Sequence, residues 1–142
     1  MGVIKIAYDW FPHPARDPSV SLTRLRTDDG DVEQTFTPTS NVTVNQLIWA
    51  ADQATAEDTL VLLERVSDGA VLAQIPISKS IRRGLDRRLV SSQFNPVDLQ
   101  AGVQCRLVFP KSTQGYWTLF CTKFTDANAS WGGASNCASK VV

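Results

Sequence analysis

The 142-residue chain predicts an all-β protein, an antiparallel β-sandwich of about eight strands. Three observations carry that expectation. Short β-branched and aromatic runs recur along the chain, each bounded by Gly, Pro, Asn or Asp. The one helix-friendly stretch, residues 52–58 (DQATAED), is too short to be more than a turn or loop excursion. Within 59–77, TLVLLERVSDGAVLAQIPI, two apolar runs flank Asp68-Gly69, a strong short-range hairpin signal.

Residues 3–8 form a short β-rich run, closed by Pro12, Pro14 and Pro18, which cannot lie inside a sheet. An extended, proline-rich N-terminal arm therefore occupies residues 1–18. Residues 20–26 begin with apolar alternation, and Asp28-Asp29-Gly30-Asp31 turns the chain into 32–36, a second candidate hairpin. In 42–50 (VTVNQLIWA) the apolar parity changes, which predicts a bulge or a strand buried on both faces. A two-residue type I′ turn at Asp68-Gly69 would then pair Val66 with Val71, Glu64 with Ala73, Leu62 with Ile75 and Leu60 with Ile77. That register makes the 60, 62, 64, 66 parity the core face.

Residues 78–88 are a basic connection, 89–94 resume strand character, and Pro96 marks a break. Cys105, Leu107 and Phe109 alternate with Gln104, Arg106 and Val108, a half-buried strand stopped by Pro110. Residues 116–124 (YWTLFCTKF) carry large groups on both parities, as a central or covered strand does. Residues 125–142 are small and polar apart from Trp131 and read as a loose tail. Length and 43% hydrophobic content fit a single domain over 1–142.

The segments Gln34-Thr35-Phe36-Thr37-Pro38, 42–49, Asp68-Gly69-Ala70-Val71-Leu72-Ala73 and Phe94-Asn95-Pro96-Val97-Asp98-Leu99-Gln100-Ala101-Gly102 stand in an order that resembles jelly-roll modules of the galactose-binding-like, carbohydrate-binding type. Such modules occur on bacterial surface proteins and on phage tail and capsid proteins. The resemblance covers residues 32–124 and implies a jelly-roll-like sandwich. It carries over no binding residue, because ligand loops are where such modules differ. Cys105 stands where an aromatic is usual.

Formal net charge is zero and charged residues are 20%, so no whole-molecule field favours nucleic acid or an anionic membrane. No run approaches the ~18 apolar residues that span a bilayer, and the N-terminal residues lack the pattern of an export signal. The three cysteines, Cys105, Cys121 and Cys137, are widely spaced and read as free thiols or as one disulfide with a leftover thiol. No cofactor or metal is implied; Asp28, Asp29, Asp31 and Glu33 could offer oxygens to calcium, but their spacing does not match an EF-hand loop and a solvated turn is the preferred reading. The only histidine, His13, sits between two prolines, a poor place for a held general base. With no nucleophile motif present, the chain reads as a non-enzyme.

Two function classes follow. In the first the chain is a structural protein, virion-associated, either capsid-decorating or capsid-stabilising or part of a tail. It would meet protein partners, in a homo-oligomer or virion, through Trp10, Phe11, Lys79, Arg82, Arg83, Arg87 and Arg88. In the second it is a glycan-binding module or lectin, using Tyr116, Trp117, Asn128, Trp131 and Asn136, since aromatic faces take the C–H side of a sugar and amides its hydroxyls. Neither class calls for specific nucleic acid or membrane. The first predicts a virion location after synthesis in the host cytoplasm, the second a cytoplasmic or cell-surface one.

Overall fold

A computed structural model describes residues 2–6, 22–54, 57–78, 89–122 and 134–142, with side chains described for Ile4, 25–48, 57–78, 91–117 and 140–142. Within these residues lie ten strands: β1 (Gly2–Ile6), β2 (Leu22–Arg26), β3 (Val32–Pro38), β4 (Val42–Ala54), β5 (Thr59–Arg65), β6 (Val71–Ile77), β7 (Leu89–Leu99), β8 (Cys105–Phe109), β9 (Tyr116–Thr122) and β10 (Ala134–Val141). They form two five-stranded sheets. One runs β1-β4-β9-β2 with β7 also on β4; the other runs β10-β3-β8-β5-β6. The first half of β4 is paired with both β1 and β7, so those two strands must flank it on opposite sides, while its last residues pair with β9.

With β1 and β10 set aside, the remaining strands run β2-β9-β4-β7 in one sheet and β3-β8-β5-β6 in the other, every neighbour antiparallel. This is the strand order of a jelly roll, in which the chain repeatedly crosses between sheets. The all-β sandwich expected from the sequence is therefore the observed architecture. Two additions were not foreseen. β1 joins β4 in parallel, and β10 extends the second sheet along β3.

One buried cluster joins the sheets: Ile4, Val44, Leu47, Leu99 and Trp117 from the first meet Val32, Phe36, Val61, Leu63, Ile75 and Leu107 from the second. The parity change in β4 is resolved by a register shift between Val44 and Gln46, opposite a longer excursion in β7. It lets Val44 (3% exposed) and Leu47 (0%) point to the same core although three residues apart.

The hairpin β5–β6 exists, but its turn and register differ from expectation. Arg65 N–H donates to Ala70 O and Gly69 N–H to Arg65 O, both at 2.9 Å, which closes a four-residue loop over 66–69. Gly69 takes the left-handed conformation (φ 70°). Asp68 supplies the local logic: its carboxylate accepts from Arg65 at 3.0 and 2.7 Å and from Ala70 N–H at 3.1 Å. Val61 then faces Ile75 and Leu63 faces Ala73, with Leu72 bulged between Ala73 and the pair Glu64–Val71. The β5 core face is thus Val61 and Leu63, both fully buried, while Leu60 is 40% exposed. Glu64 lies on the outer face, paired with Arg106 at 2.7 Å.

Other expectations are corrected by the same interleaving. β2 and β3 are not a hairpin, since β2 pairs with β9 and β3 with β8 in the other sheet. The turn between them carries the chain across. Residues 51–54 continue β4 instead of forming a loop, because β9 supplies a ladder partner. Pro96 does not end β7: Phe94, Asn95 and Pro96 fall between the paired residues Gln93 and Val97, so the missing N–H costs no ladder bond. The loose tail contains β10, a small-residue strand held by β3. Gly30 packs so closely on it that a Cβ would overlap the Val142 carbonyl oxygen.

Candidate functional site

Two places concentrate exposed chemistry among the described residues. At one end of the sandwich, the β2–β3, β4–β5 and β8–β9 connections meet around Trp117. Its main-chain N–H donates to Thr27 Oγ1 at 2.9 Å, its indole Nε1–H donates to Glu57 O at 3.0 Å, and Thr27 Oγ1 is 2.6 Å from Ser112 Oγ. Glu57 completes the clamp, its carboxylate accepting from Thr113 N–H at 2.6 Å and Thr113 Oγ1 at 2.9 Å. Hydrogen bonds from the Thr113 main chain and hydroxyl hold the Glu57 carboxyl below its usual range.

Beside it the Arg26 guanidinium lies 3.7 Å from the centre of the Tyr116 ring and is fixed by two bonds to Asp28, at 3.0 and 2.6 Å. That pairing lowers the Asp28 pKa, chiefly through the Arg26 hydrogen bond. The cluster therefore ties loops together. Trp117, expected as a sugar platform, is 2% exposed and belongs to the core. Tyr116, expected in the same role, is half-buried with one face under Arg26.

The second place is the margin where the two sheets come together at β6 and β7. An open groove of about 520 Å³ lies between residues 71–74 of β6 and 95–97 of β7. Both walls are irregular: Leu72 is the bulged residue of one and Asn95-Pro96 belong to the excursion of the other. Bulges are over-represented at sheet edges and next to active sites. Among the described residues no charged side chain lines the groove; Gln74 and Asn95 are exposed amides and Val71 is 50% exposed.

Of the other residues expected to form sites, Trp10, Phe11, Lys79, Arg82, Arg83, Arg87, Arg88, Asn128 and Trp131 lie outside the described residues, as does His13. Asn136 lies on β10, its side chain outside the description. Cys105 is a free, buried thiol whose pKa is raised by burial. Among the described residues no group of three or more His, Cys, Asp or Glu could hold a metal, and no helix is long and apolar enough to cross a membrane. Sequence reasoning missed Thr27, Glu57 and Ser112, whose partners are 56 to 90 residues away and leave no local signal. Quoted in the resemblance, 71–73 and 95–97 now flank one groove.

No protein-family model, curated protein or solved structure matches the chain.

Proposed function

We propose that this chain is a non-enzymatic structural protein, a virion-associated β-sandwich that decorates or stabilises a capsid or forms part of a tail. The strand order carries this reading, because jelly rolls serve as shell-building domains of viruses as well as lectins. Architecture alone does not divide those two uses. The aromatic residues favour the first: Trp117 is buried and Tyr116 has Arg26 over one ring face, so neither presents an open platform to a sugar. Partners on this reading are proteins, either further copies of the chain or other virion components, met through the arm around Trp10 and Phe11 and the basic connection with Arg82, Arg83, Arg87 and Arg88. The glycan-binding alternative rests on Trp131 with Asn128 and Asn136.

Because β1 and β10 are ladder strands, point substitutions test the proposal better than truncations. Trp10→Ala with Phe11→Ala, or Arg82→Ala with Arg83→Ala, should abolish self-association or particle binding while thermal unfolding stays near wild type. Assembly unchanged by both pairs sinks the assigned contacts. Glycan-array retention lost in Trp131→Ala would instead favour the lectin.

A further inference from the structure

The groove between β6 and β7 has a main-chain edge that points to its occupant. Arg65 both donates to Ala70 and accepts from Gly69, so its main chain is directed at β6. Along a regular antiparallel strand that direction alternates, so Leu63 and Val61 also point at β6 whereas Glu64, Leu62 and Leu60 point at β8. The β6 residues opposite those last three are Val71, Gln74 and Pro76. Their main-chain groups therefore point away from β5, toward the free edge.

Pro76 has no N–H to offer there, which is how edge strands are commonly blunted against uncontrolled pairing. The blunting is partial. Val71 and Gln74, both lining the groove, keep an N–H and a C=O each directed away from the ladder, and no strand among the described residues pairs with that edge. Residues 71–74 extend over roughly 10 Å of strand, and the opposite wall adds Asn95 and Pro96, which have no ladder partner on β4.

We propose that this groove binds an extended, uncharged peptide segment of a partner protein, added alongside β6 through main-chain hydrogen bonds to Val71 and Gln74. Strand addition of this kind draws affinity from main-chain bonds and selectivity from alternate side-chain pockets. Three features select such an occupant. The open donors and acceptors are main-chain groups at strand spacing, the described lining residues carry no charge to repay desolvation of an ionised ligand, and Gln74 and Asn95 can bond a neighbouring amide. The inference rests on the assembly reading above, for which it supplies a docking edge.

Display selection of random 12-residue peptides on the immobilised full chain, followed by titration of the recovered synthetic peptides, tests it. Recovered peptides should be uncharged over their central residues and should slow amide hydrogen exchange at Val71 and Gln74, which exchange faster than Ala73 and Ile75 in the free chain. Gln74→Pro deletes one edge N–H without touching the β5 ladder, and Asn95→Lys places a charge in the groove. Each should weaken binding at least tenfold. Failure to enrich any peptide, protection of other amides, full affinity in both variants, or slow exchange of Val71 and Gln74 in the free chain would overturn the proposal. If Asn95→Lys assembles as wild type does, the groove is refuted as the docking edge while the assembly reading stands. Tight peptide binding at this edge by a chain that never assembles upholds the groove and refutes that reading.

Discussion

Replacing Leu63 by Ala separates the observed hairpin register from the one a two-residue turn would impose. Leu63 is fully buried on the inner face, opposite Ala73 on one side and Leu107 on the other. Its truncation should cost about 2–5 kcal/mol, the lost transfer energy plus the cavity left behind. Leu60 is 40% exposed on the outer face, so Leu60→Ala removes little buried area and should cost about 1 kcal/mol or less. For a chain of this size each kcal/mol moves the midpoint by roughly 3 °C. Leu63→Ala should thus melt about 6–15 °C lower, and Leu60→Ala no more than about 3 °C lower. Urea titration with an unchanged m-value is the assay. A Leu60→Ala cost equal to that of Leu63→Ala would refute the register and with it the inward face of β5.

Further outcomes follow from single contacts. Gly30→Ala sets a Cβ against the Val142 carbonyl, which is backbone and cannot swing aside, so it should cost about 1–3 kcal/mol and speed amide exchange in β10. Ser92 is 6% exposed and its hydroxyl has no partner among the described residues, so Ser92→Ala should raise stability by about 1 kcal/mol in urea unfolding. The Asp68 carboxyl is lowered to about 2, first by its bond to Arg65 and then by Ala70 N–H. A depressed carboxyl contributes stability above its unfolded pKa and loses it as pH falls toward about 2; NMR titration should find that midpoint, and Asp68→Asn should lose this carboxyl's share of the acid-range dependence while the shares of Asp28 and Glu57 remain.

The fold class was legible because strand periodicity is local. Cys105, Leu107 and Phe109 are each nearly fully buried, as their alternation requires, and the parity change in β4 does mark a bulge. Register and partner choice were less legible. Asp68-Gly69 fits a two-residue turn and a four-residue loop equally well by composition, and the choice moves Leu62 and Leu63 to opposite faces. The acidic turn after Arg26 looks like a hairpin turn, yet the Thr27 hydroxyl bonds to Trp117 and Ser112 and takes the chain to the second sheet. β10 was hidden because Ala, Ser and Asn have weak strand propensity and only the exposed edge of β3 makes a strand of them. The groove was illegible for a similar reason: residues 71–74 and 95–97 are distant in sequence and meet only where β6 of one sheet lies beside β7 of the other.

The solution mass of the full chain, measured by size-exclusion chromatography with light scattering across micromolar concentrations, tests the structural-protein account most directly. The account predicts a defined oligomer, or a chain that co-elutes with particles and is released by Trp10→Ala with Phe11→Ala. A strict monomer that ignores particles and is retained on a glycan array through Trp131 would contradict it.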